Sequence, residues 1–371
     1  MKNYGRTHLN TLFKDRVLYR NLVPGDPTLP GLAQLRASLG IPENTIPRKT
    51  SLDYARVVQT VIKAAQAGRG GPPLTRVIML GDTRMNDGTA LINIASTAGW
   101  QGMAFIGTEK DGPESLLPEQ LDHTTIYNAN RWSALLSFDS ILADHGFAVD
   151  AATVVLIDID KTALAARGRN HTTIDGARLS AARDTAITIL GSDADLARLE
   201  QDYHRLNQPD FHPLTQDNQD ALVYLCMILS SGWTSIDRLL EDGITRFEAV
   251  LQSVEKAKLE LPGSLQVMHA DFQRRYLGGD PTPFKDFRRS EFLATSRRMG
   301  SHPDSTPIET LLAEEIVLTA EVFHTAAAWA ERGALIFSLS DKPDEATNPT
   351  PEQAAQGMKP IHAIETHMIG V

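Results

Sequence analysis

Four aspartates at two places in the chain have the types and spacing for phosphoryl chemistry. The run VVLIDIDKT sets Asp158 and Asp160 behind apolar residues, with Thr162 two positions on; GDTRMND sets Asp82 and Asp87 behind RVIML. Carboxylates brought together in this number repel one another unless a cation sits among them. All-oxygen ligands suit magnesium, which keeps several waters and accepts a substrate phosphate oxygen, so Asp82, Asp87, Asp158 and Asp160 are the expected Mg²⁺ ligands. The Asp158 carboxylate can attack phosphorus and form an aspartyl-phosphate. Asp160 can protonate the leaving oxygen and then deprotonate the hydrolytic water. Lys49, in IPRKTS, would offset the anionic charge, and the hydroxyl of Ser340, in SLSDKP, would hydrogen-bond phosphoryl oxygens. Ser338 competes for that role from two positions back on the same strand face, and the DKP that follows Ser340 favours the latter. Positioning and charge neutralisation are most of what phosphoryl transfer requires.

Such residues need a frame that holds them together, and the periodicity supplies one. RVIMLG (76–81), GMAFIG (102–107), TVVLID (153–158) and GALIFSLS (333–340) are short apolar runs of the kind that become buried strands. PIHAIETHMIG (360–370) is a candidate for another strand of the same sheet. LAQLRASLG, SLDYARVVQTVIKAAQAG, TALINIASTAGW and RWSALLSFDSILADHG carry helical periods between them. Alternating strands and helices argue for an α/β fold, a Rossmann-like parallel sheet with helices on both faces. Ligands of such sheets bind beyond the carboxyl ends of the strands, which is where these aspartates fall. From about 174 to 332 every segment has a helical period and none reads as a strand, so a large all-helical insert is expected there. The expected division is an α/β core over 1–165 and 330–371 and a helical insert over 166–329.

The set resembles the haloacid dehalogenase-like hydrolase superfamily. DIDKT matches its first motif, the DxDxT nucleophile and acid/base pair; SLSDKP looks like the second, a Ser or Thr at a strand end. Lys49 before a helix looks like the third, and GDTRMND matches the fourth, a GDxxxxD metal pair. The family runs first to fourth, whereas this chain runs third, fourth, first, second. That is the same cycle cut elsewhere, a circular permutation, which is tolerable because termini often lie close together at the surface. The resemblance implies that GMAFIG is the family's fifth strand and that the helical insert is a cap domain. It also implies that Thr162 holds the motif loop in shape and that Asp160 marks a phosphatase, since a dehalogenase has no leaving oxygen to protonate. The permuted assignment requires the strands ending at Asp82 and Asp158 to be neighbours.

The expected activity is a Mg²⁺-dependent phosphomonoester hydrolase on a small phosphorylated metabolite. A phosphotransferase or mutase would use the same residues, and a catalytically silent scaffold would need a substitution in the carboxylate set, of which there is none. Arg167, Arg169, Asn170 and His171 lie just past the motif, facing either the leaving group or solvent. Arg274/Arg275, Arg288/Arg289 and Arg297/Arg298 are either a basic lining or charged helix faces. A net charge of −10 opposes nucleic acid and anionic membranes. The lone Cys226 excludes an internal disulfide framework. ALVYLCMIL is too short to span a membrane and reads as a buried helix. The polar N-terminus has no apolar h-region. These features point to a cytoplasmic protein of undetermined oligomeric state.

Overall fold

The apolar runs behind the candidate residues become neighbouring strands. The computed structural model describes residues 1–371. Its strands are β1 (Lys2–Thr7), β2 (Val17–Leu18), β3 (Arg76–Gly81), β4 (Gln101–Gly107), β5 (Leu116–Leu121), β6 (Thr124–Ala129), β7 (Thr153–Asp158), β8 (Leu318–Thr319), β9 (Leu335–Leu339) and β10 (Thr366–Gly370). The larger sheet runs β2-β9-β7-β3-β4-β6-β5 and is parallel except for the β5–β6 hairpin at one edge. The fold is therefore α/β, as the periodicity predicts. β3 and β7 pair directly, from Arg76 opposite Thr153 to Leu80 opposite Ile157. On its other side β7 pairs β9, with Asp158 opposite Leu339.

Strands covered on both faces read as unbroken apolar runs, and β7 is buried along its whole length. Alternate residues point to opposite faces. Val77, Met79, Val154, Leu156, Leu335 and Phe337 share one core with Tyr54, Val57, Val58, Val61 and Ile62 of the helix Leu52–Gly68. Burying each large apolar side chain contributes roughly 1.5–3 kcal/mol, so this layer can anchor strand ends that carry desolvated charge. Ser51 fixes where the helix begins, its hydroxyl accepting from Tyr54 N at 3.2 Å. Lys49 lies two residues ahead of that cap.

The C-terminal run does not rejoin the parallel sheet. β10 pairs antiparallel with β1 and parallel with β8 in a separate three-stranded sheet. β1, KNYGRT, is too polar to announce itself by hydrophobic alternation. The hairpin strands β5 and β6 are likewise absent from the periodicity, β5 because its edge position leaves it half exposed. β8 breaks what reads as one helix over 308–333 into the helices Ile308–Glu314 and Ala320–Glu331. Glu315 is extended there and wholly buried. Its carboxylate accepts from Thr366 Oγ1 at 2.8 Å and His367 N at 3.1 Å, and pairs with the His367 ring at 2.8 Å. Pairing with the last strand overrides helical period.

The chain forms two compact units, Met1–Asp175 with Thr295–Val371, and Gly176–Ala294. The helical unit is thus narrower than the expected 166–329. It has an aromatic core in which Tyr224 stacks on Phe272 at 4.3 Å between ring centroids. Cys226 is buried in its helix Gln219–Ser230. Arg288 sits inside this unit between Asp220 at 2.5 Å and Glu291 at 2.7 Å, and Arg274 and Arg275 both pair with Asp271, so these guanidiniums are tied to carboxylates. No helix is long and apolar enough to cross a membrane.

Candidate functional site

Asp158 is the last residue of β7, and Gly81 ends β3 immediately before Asp82. Gly81 is needed for space: a Cβ there would meet Asp87 Cγ at 2.5 Å. That gap lets Asp87 fold back over the strand end. Its Oδ2 accepts from Asp82 N at 3.1 Å, Thr83 N at 2.9 Å and Thr83 Oγ1 at 3.0 Å. Its Oδ1 accepts from Lys49 Nζ at 2.7 Å. The same ammonium donates to Asp158 Oδ1 at 2.7 Å and reaches Leu339 O at 3.5 Å. Lys49 therefore ties together the ends of β3, β7 and β9. Arg167 pairs with Asp82 Oδ2 at 2.5 Å. One carboxylate oxygen from each of Asp82, Asp87 and Asp158 lies within 4.8 Å of the others.

The charges do not balance. Two cations, Lys49 and Arg167, face three carboxylates and leave one net negative charge in a mostly buried site. Burial, with the negative charges of Asp87 and Asp82, pushes Asp158 well above the usual carboxylate range, against the pull of Lys49. Burial and Asp87 likewise raise Asp82 to about 6, although Arg167 and Lys49 oppose the shift. Asp87 goes the other way. Its burial is outweighed by Lys49 and the Thr83 donors, which hold it low. Lys49 stays charged because Asp158 and Asp87 outweigh its desolvation. The excess thus falls on Asp158 and Asp82. Asp87 has four donors on its two oxygens, which about fills a carboxylate's acceptor capacity. Asp82 and Asp158 are consequently the residues better placed to hold a divalent cation by hard oxygens, and such an ion would offset the excess charge.

The remaining expected residues fall into place differently. The Asp160 carboxylate is not in the cluster; it lies 3.4 Å from the buried Lys342 Nζ. Ser338 donates its hydroxyl to Ile157 O at 2.9 Å within the sheet, whereas Ser340 sits just past the end of β9 and accepts from Lys342 N at 3.2 Å. Thr162 has a buried hydroxyl with no partner. Its backbone does the holding, the carbonyl accepting from Thr319 Oγ1 at 2.5 Å. The loop is shaped by the left-handed Lys161 and Ala165 and by Leu164 N donating to Ile159 O at 2.9 Å.

Past the loop, Arg169 is buried against Glu321 and Glu109. Asn170 is buried too, donating to Leu312 O and Glu315 O. Both are tied into the fold by these contacts; His171 is less buried, its Nδ1 accepting from Gly168 N at 3.0 Å. Of that group only Arg167 reaches the site. Lys342 was legible as the lysine of the DKP run but carried no periodic or motif signal of its own. No family model matches this chain, and no curated protein or solved structure is significantly similar to it.

Proposed function

We propose that this chain is a magnesium-dependent phosphatase of small phosphorylated metabolites, a circularly permuted relative of the haloacid dehalogenase-like hydrolases with Asp158 as nucleophile. The observation that carries the reading is Lys49 Nζ held between Asp158 and Asp87 at the paired ends of β3 and β7. It supports the reading because residues 49, 87 and 158, far apart in the chain, meet at one point, as a permuted motif order would need.

Bound Mg²⁺, held by Asp158 and Asp82, would offset the site's excess negative charge and polarise the phosphoryl group. The chain's own groups supply the rest. An Asp158 carboxylate oxygen attacks phosphorus, and the bond from phosphorus to the leaving oxygen breaks. That oxygen takes a proton from Asp160. Asp160 then takes a proton from water, the water oxygen bonds to phosphorus, and the bond to Asp158 breaks, freeing phosphate and restoring the carboxylate. Lys49 orients Asp158 and favours its ionised form, Asp87 orients Lys49, and the Ser340 hydroxyl is placed to bond phosphoryl oxygens. A lone buried thiol and a net charge of −10 suit a cytoplasmic setting.

The test is phosphate release from a panel of phosphorylated metabolites with and without Mg²⁺, with Asp158→Asn as control. Release that needs the metal and disappears in the variant is expected. Undiminished release in Asp158→Asn, or none on any phosphoester, would refute the reading.

A further inference from the structure

We propose that Arg167 holds the cation's place on Asp82, that a divalent ion must displace it, and that the displaced guanidinium then binds the anionic substrate. The inference rests on the phosphatase reading above. Arg167 pairs with Asp82 Oδ2 through both Nε and a terminal nitrogen at 2.5 Å. Its side chain is 36% exposed while that of Asp82 is only 7% exposed, so the guanidinium covers the carboxylate from the solvent side.

The backbone beneath Arg167 is fixed. Its N donates to Lys161 O at 2.7 Å, and its carbonyl accepts from Glu109 N at 2.8 Å and from Trp132 Nε1 at 3.1 Å. Gly168 follows at φ +82°, where a Cβ would lie 2.0 Å from Glu109 O. Next comes the buried Arg169, clamped by Glu321 and Glu109. With the backbone held in this way, rearrangement falls to the Arg167 side chain, which is part-exposed.

A guanidinium and a divalent ion on one carboxylate repel each other, so each weakens the other there. Once displaced, the guanidinium stays tethered beside the site. Its planar fork matches phosphate oxygens, and the tether keeps it within reach of an anion drawn to the metal.

The test is calorimetric titration of Mn²⁺ into anion-free protein, then of orthophosphate into the Mn²⁺-loaded protein, for wild type, Arg167→Gln and Arg167→Lys. Arg167→Gln is expected to bind Mn²⁺ roughly two- to fivefold tighter, the worth of a part-exposed ion pair. It should bind orthophosphate about tenfold more weakly, with Arg167→Lys between the two. The backbone anchors are untouched, and a matching thermal midpoint will show that the variants fold. Unchanged or weaker Mn²⁺ binding in Arg167→Gln would make Arg167 a structural pin and overturn the inference, leaving the phosphatase reading intact. A wild type that binds no Mn²⁺ overturns both.

Discussion

Lys49 Nζ lies 2.7 Å from Asp158 Oδ1 across 109 residues of sequence, and the same ammonium holds Asp87 at 2.7 Å. A cation shared by two buried carboxylates cannot be removed quietly. Lys49→Met should destabilise the metal-free protein by about 3–5 kcal/mol, the cost of stranding buried charge. The urea midpoint at unchanged slope measures it, and added Mg²⁺ should recover part of the loss. A cost under about 1 kcal/mol would mean the ammonium is not what holds these carboxylates.

Gly81 is a second point where the site leaves no slack. Gly81→Ala sets a methyl group against the Asp87 carboxylate, with contacts of 2.5 Å before relaxation. Overpacking of this kind costs about 1–3 kcal/mol, and here it should also dislodge Asp87 from Lys49 and lower phosphate release. A variant with wild-type melting temperature and rate would contradict the account.

Asp160 separates two roles that proximity in sequence had merged. Its carboxylate lies apart from the Asp82–Asp87–Asp158 cluster and beside Lys342. Asp160→Asn should therefore leave Mn²⁺ affinity within about twofold of wild type. Phosphate release should fall by roughly 10²–10⁴-fold, the usual contribution of a general acid–base. Loss of metal binding in this variant would return Asp160 to the ligand set.

The frame was legible where burial on both faces leaves an uninterrupted apolar run: β3, β4, β7 and β9. It was illegible where pairing does the work of hydrophobicity. β1 is polar, β5 is an exposed edge, and β8 is two residues inside a helical pattern. The same division holds in the site. The aspartates and Lys49 could be read because each sits next to an element boundary. Arg167 could not be told from Arg169, because only tertiary packing decides which guanidinium is buried against Glu321 and which turns to Asp82.

Glu315, which ends the helix before β8, makes stability depend on pH. Burial alone would raise its carboxyl, but the His367 ring, the Thr366 hydroxyl and two backbone amides outweigh that and hold it below its ordinary value. A lowered folded-state value adds stability that is fully present above the unfolded value, about 4.3. That stability is lost as pH falls through the folded one. Urea midpoints of wild type and Glu315→Gln should thus differ most at neutral pH and converge below about pH 4. A gap that widens on acidification would show the opposite sign.

Chemical trapping on Asp158 tests the central claim most directly. Protein turning over a cleaved phosphoester with Mg²⁺ is quenched in acid, digested, and its peptides are weighed. One phosphoryl group on the peptide that contains Asp158, absent in Asp158→Asn and absent without the metal, is the predicted result. Turnover with no phosphoryl group on that peptide, or with one on another residue, would contradict the assignment of Asp158 as nucleophile.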